Sequence, residues 1–226
     1  MAAAALVAAF LAAPLWVKLA GGWYYSIPAG AMKPAVLTGD TLLALPLKSD
    51  TPERGSVIIY THPTWPGVDF VKRVIGLPGD RIAIVGGVVV LNDKPAAMTR
   101  LGDRAEVFND PTPAPGCVSR APEPGVVCSY EHWRETFPDG TAQDVFNTRG
   151  TLGVAGSGSH LDDLPAVTIP AGHFYLLGDH RDNSRDSRDH GPVPIENIRY
   201  KVWIVHTSWD RETLLPRVER FLKRVE

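Results

Sequence analysis

Residues 69–92 read DFVKRVIGLPGDRIAIVGGVVVLN, and this stretch decides the fold class. Its apolar residues come in short runs rich in valine and isoleucine, a length and composition that suit strands rather than helices. LPGD at 77–80 ends the first run with a turn signal. Gly86 and Gly87 divide the second; glycine accepts the positive φ of a two-residue hairpin loop, so IAIV and VVVLN are expected to fold back on each other. The same grammar extends outward, through TLLALPL (41–47) and GSVIIY (55–60) on one side and AVTIP (166–170), HFYLLGD (173–179) and KVWIVHTSW (201–209) on the other. The fold is expected to be mostly β, and 20 prolines and 21 glycines are more than a helical bundle tolerates.

With 226 residues the chain can bury a substantial core. A net charge of −2 and a pI near 6.4 argue against a nucleic-acid partner, which requires a basic face. Met1 to Val17 contains no charged side chain, and apolar character resumes after Lys18 through Trp23, Tyr24 and Tyr25. That is near the lower limit for spanning a bilayer, so residues 1–24 are expected to form a membrane anchor with the lipid bilayer as partner. The start is not basic, which fits an uncleaved anchor better than a signal peptide. Cys117 and Cys128 lie in a proline- and glycine-rich stretch; they read either as two unrelated thiols or, more plausibly, as a disulfide closing a loop in an oxidising compartment. Segment 99–165, polar and interrupted by proline, reads as an insertion or cap with weak strand periodicity. RETLLPRVERFLKRVE (211–226) places Leu214, Leu215, Val218, Phe221, Leu222 and Val225 at helical spacing, so a short amphipathic helix is expected there.

Three segments carry candidate chemistry. SIPAGAMKPAVLTGD (26–40) has prolines and a glycine that hold a non-repetitive backbone, suited to presenting a residue from a loop. In DFVKRVIGLPGD (69–80), a strand puts Phe70, Lys72 and Val74 on one face. An amine held among them is desolvated, its pKa falls, and it can serve as a general base; the competing reading is a solvated edge charge. GDHRDNSRDSRDHGPVP (178–194) is too polar for core. It reads as an ion-paired network or a calcium loop, and Arg181, Arg185 and Arg188, which neutralise its acids, favour the network.

Together, and in this order, these segments resemble the signature boxes of bacterial type I signal peptidases. The family patterns IPSGSMxPTL, KRVxGLPGD and GDNRDNSxDSRxxGxVP stand against IPAGAMKPAVL, KRVIGLPGD and GDHRDNSRDSRDHGPVP here. The resemblance implies an antiparallel β catalytic core (25–80 and 169–226) with an inserted β-rich cap (81–168), set on the periplasmic side of the inner membrane. It implies Lys72 as general base, Ser184 as the hydroxyl orienting it, and Asp186 with Arg188 as a supporting ion pair. Ile27, Pro28, Met32, Val36, Phe70 and Val71 match positions lining pockets for small side chains, hence cleavage after Ala-x-Ala in the signal peptides of exported preproteins. No metal or nucleotide cofactor is implied. Two positions depart from the pattern. The nucleophile position holds Ala31, and a position that contributes an oxyanion-hole hydroxyl in some members holds Ala29. A methyl group cannot attack a carbonyl, so this chain is expected to be inactive, through an engineered serine-to-alanine change or as a natural pseudopeptidase. A non-catalytic signal-sequence binder and a conjugation-type maturation peptidase of the same fold are the alternatives.

Overall fold

β3 (Val57–Thr61) is apolar along almost its whole length because both of its faces are covered. Val57 and Ile59 pack with Ile27, Met32, Val36 and Leu42, while Ile58 and Tyr60 pack with Val74, Phe174 and Leu176 on the other face. Burying each such side chain contributes on the order of 1.5–3 kcal/mol. In the computed structural model, which describes residues 17–47, 51–108, 126–148, 161–211 and 213–225, this strand lies inside a large antiparallel sheet.

The sheet runs β1 (Trp23–Ser26), β2 (Asp40–Pro46), β14 (Ile198–Ser208), β3, β4 (Asp69–Gly76), β12 (His173–Leu177), β13 (Val193–Pro194), with β15 (Lys223–Arg224) on β14. Strands between residues 81 and 168 form two further sheets. One has the order β11 (Leu164–Thr168), β5 (Arg81–Val85), β6 (Val88–Leu91), β7 (Lys94–Pro95). The other has the order β10 (Ala142–Thr148), β9 (Val126–Thr136), β8 (Ala97–Phe108). Gly86 and Gly87 make the hairpin turn between β5 and β6, with φ of 54° and 77°. Gly76 lets the first small sheet approach the large one: a Cβ there would strike Ile169 and lie 2.5 Å from Ile82.

The central part of the chain is more regular than its sequence suggests. β8 and β9 pair from Ala97 opposite Thr136 to Phe108 opposite Val126, where segment 99–165 reads as an excursion. Charged residues interrupt the apolar alternation of these strands, and on the other side of β9 its Arg134 faces and pairs with Asp144 of β10. Cys128 is buried in β9 and carries no free thiol; Cys117 lies outside the described residues.

The carboxyl-terminal helix does not form. Residues 213–225 contain a single 3₁₀ turn, Val218–Arg220, and then β15. Leu214 and Leu222 take positive φ, 56° and 59°, outside any helix. Two arginines fix this path: Arg217 bonds Asp210 at 2.8 Å, and Arg220 grips the buried carboxylate of Asp40 at 2.6 and 3.2 Å. No helix among the described residues is long and apolar enough to cross a membrane. Residues 1–16 of the expected anchor lie outside the described residues, and its last two, Trp23 and Tyr24, open β1 opposite Ala44 and Leu43.

Candidate active site

The loop joining β1 to β2 carries Ala29 and Ala31 and is fastened at three points. Its ends are tied together, with the Ile27 N–H donating to the Asp40 carbonyl at 2.9 Å and the Gly39 N–H to the Ile27 carbonyl at 3.0 Å. Its apolar side chains, Met32 and Val36, are buried against Ile59 and Leu42. Its middle is tied to the far segment: the Ala31 carbonyl accepts a hydrogen bond from the His180 backbone N–H at 3.1 Å.

Lys72 sits on β4 opposite Ile58 and is 3% exposed. Its Nζ donates to the Val71 carbonyl at 3.0 Å and lies 5.3 Å from the centroid of the Phe70 ring. Burial among these groups pulls its pKa down from 10.5 to about 8; the Arg188 charge adds to this, and the Asp186 and Asp179 carboxylates oppose it. About a tenth of the amine is thus neutral at pH 7, and about half at pH 8, where an exposed lysine is almost wholly protonated.

The third segment is a lattice of buried arginine–carboxylate pairs. Asp186 is fully buried and accepts from the Ser184 hydroxyl at 2.7 Å, from the Gly178 N–H at 3.0 Å and from the Arg188 guanidinium at 2.9 Å through each of its two oxygens. Burial alone would raise its pKa, but Arg188 and these hydrogen bonds hold it down at about 2. Arg73, one residue beyond Lys72, clasps Asp179 through two bonds of 2.8 and 2.7 Å. Arg181 clasps Glu135 of β9 in the same way at 3.0 and 2.5 Å. His180 is wedged edge-on against Tyr130 and Phe146, and burial lowers its pKa to about 4, so its ring is neutral. Gly178 is indispensable to this junction: a Cβ there would collide with the Ser184 hydroxyl and stand 2.6 Å from the Ala31 carbonyl. Among the described residues no group of three or more histidine, cysteine, aspartate or glutamate side chains converges as metal ligands do.

These elements enclose a cleft of about 750 Å³. Ala29, Ala31, Lys72, Ser184, Ile27, Pro28, Met32, Val36, Phe70 and Val71 all line it. Asp186 and Arg188 stand behind the wall, buried. One expected contact differs. The Ser184 hydroxyl does not bond Lys72; it donates to Asp186, because an ionised carboxylate is the stronger acceptor within its reach. Sequence reasoning missed Leu161, Asp69 and Arg185, which also line the cleft. Leu161 carried no motif, and Arg185 occupies the one unspecified position of the RDNSxDSR pattern.

The chain matches the family model described as "Signal peptidase, peptidase S26" over residues 1–207, and it belongs to that family. It is 27% identical over 216 residues to signal peptidase I of Rickettsia typhi, covering 83% of this chain and 75% of that protein. The signal peptidase I of Rickettsia prowazekii is 26% identical with the same coverage. A crystal structure of a signal peptidase I from Enterococcus faecalis V583 aligns with a TM-score of 0.33 and 21% identity, over 66% of this chain and 94% of that one. Family membership makes the fold that of a serine endopeptidase, and the relatives' names support signal peptidase I activity.

Proposed function

We propose that the chain is a signal peptidase whose cleft receives the signal-peptide end of an exported preprotein, and that it is silent only because Ala31 replaces the nucleophile. The observation that carries this reading is the buried Lys72 amine in the wall of the same cleft as Ala31, with Ser184, Asp186 and Arg188 arrayed beside it.

With serine in place of Ala31, the neutral Lys72 amine takes the hydroxyl proton as the oxygen attacks the scissile carbonyl. The backbone N–H at position 31 donates to the developing oxyanion, since Ala29 brings no hydroxyl. Lys72 passes its proton to the departing amine, and the ester left behind is hydrolysed by water that the same amine deprotonates. Ser184 spends its single proton on Asp186, so aiming the amine requires Lys72 to turn from the Val71 carbonyl toward the Ser184 lone pairs left open. Ile27, Pro28, Met32, Val36, Phe70 and Val71 give the cleft an apolar floor suited to small side chains, consistent with cleavage after Ala-x-Ala. The amino-terminal anchor, the periplasmic placement, the Cys117–Cys128 disulfide and the division into a core (25–80, 169–226) and a cap (81–168) belong to the same reading.

Ala31→Ser protein, incubated with a preprotein bearing an Ala-x-Ala site, is expected to release the signal peptide at that site, identified by mass spectrometry, while the Ala31 protein does not. Cleavage elsewhere, or none by the folded variant, contradicts the reading.

A further inference from the structure

At the mouth of the cleft stands a cation with no counter-ion. Arg185 is exposed and lines the cleft, and among the described residues no carboxylate lies within 4.0 Å of it. Every other arginine of segment 178–194 is committed: Arg181 to Glu135 and Arg188 to Asp186. Arg185 instead lies over the indole of Trp65, 5.1 Å from the ring. Trp65 belongs to the loop between β3 and β4 and is 41% exposed, and its own ring is stacked on His62 at 4.6 Å. Cation–π contact with a braced indole restricts the long arginine side chain and leaves its N–H groups to seek another acceptor.

The acids nearby do not consume this charge. Asp69 is engaged by Thr61 at 2.9 Å and by Arg199 at 3.5 Å, and Asp189 accepts from the Asp186 N–H at 3.3 Å. Asp182 has a partner of its own. The guanidinium is therefore held over Trp65 without an ion pair, in the lining of the same cleft as Ala31 and Lys72. Position 185 is also the variable position of the third motif, so what it contributes belongs to this chain and not to the common mechanism.

Resting on the proposed peptidase reading, we infer that Arg185, held by Trp65, is a specificity-determining residue that favours an acidic side chain in the substrate next to the scissile bond. A planar guanidinium pairs with a carboxylate through two parallel hydrogen bonds. Because the pair is exposed, the preference is about two- to fivefold and weakens with salt.

The test uses Ala31→Ser protein and peptides carrying one Ala-x-Ala site. Asp and Asn are exchanged in turn at the x position of the site and at each of the three positions after the cut. The ratio of kcat/KM for Asp over Asn is expected to exceed two at one position, to fall towards one at 0.5 M NaCl, and to invert in the Arg185→Glu background. Arg185→Lys should keep part of the preference, and Trp65→Ala should lose most of it. Ratios of one at every position with vigorous cleavage overturn the inference while leaving the peptidase reading intact. Absence of cleavage of every peptide overturns both. A preference that survives in Arg185→Gln assigns it to another group and overturns the inference alone.

Discussion

The carbonyl of Ala31 accepts a hydrogen bond from the backbone N–H of His180 at 3.1 Å, joining two loops separated by most of the chain. His180 follows Asp179, whose carboxylate holds Arg73 and whose carbonyl accepts from the Phe146 N–H at 2.9 Å. The loop of Ala31, the strand of Lys72 and the β10 strand therefore meet at residues 178–180.

Gly178 is the narrowest part of this junction, and Gly178→Ala tests it. Its methyl group must push the Ala31 carbonyl away from Ser184. The variant should lose about 1–3 kcal/mol of stability, as overpacked sites do. In the Ala31→Ser background kcat should fall more than tenfold while KM changes little. Unchanged urea unfolding and turnover would mean that the two loops are not held in register here.

Asp186→Asn should destabilise the protein by about 3–5 kcal/mol at pH 7, because it leaves the Arg188 guanidinium buried without its counter-charge. The pH dependence has a defined sign. The carboxyl titrates at about 2 in the folded protein, against an ordinary 3.8, so the unfolded chain binds the proton first as pH falls. Its contribution is complete above pH 3.8 and is lost between 3.8 and 2. The stability difference between parent and variant, followed by urea unfolding, should hold constant down to about pH 4 and narrow below it.

Lys72→Met should stabilise the folded chain. At pH 7 the native state bears the cost of a buried ammonium, and the drop in pKa from 10.5 to about 8 corresponds to roughly 3–4 kcal/mol. Between pH 8 and 10.5 the unfolded state binds more protons than the native state, so the parent gains stability as pH rises through that window. The advantage of the methionine variant should therefore shrink from pH 8 to 10.5. A variant less stable than the parent at pH 7 would contradict the burial argument.

What the sequence disclosed, and what it hid, follows from how locally each feature is encoded. β3 to β6 were legible because valine- and isoleucine-rich runs and the Gly86–Gly87 turn are local signals. Strand alternation set Lys72 beside Phe70 and Val74 but by itself favoured a solvated edge charge, and its burial is a property of the fold that closes over β4. β8 and β9 were not legible, since charged residues such as Arg100, Asp103, Arg104, Glu131 and Arg134 break up the apolar period along them. The tail misled for the opposite reason. Its leucines have helical spacing, but Asp40 and Asp210 capture Arg220 and Arg217 and pull the chain into another path. Ser184 lines the cleft, and its bond to Asp186 was hidden because it depends on how two residues of one loop turn toward each other.

The most direct test of a chain silenced at one position is the pH profile of single-turnover cleavage by Ala31→Ser protein, measured from pH 6 to 10 beside Ala31→Ser/Lys72→Met. The rate should climb about tenfold per pH unit and level off near pH 8, where the Lys72 amine loses its proton, and the double variant should not turn over. A rate that is flat across this range, or cleavage that survives the loss of Lys72, would contradict the account.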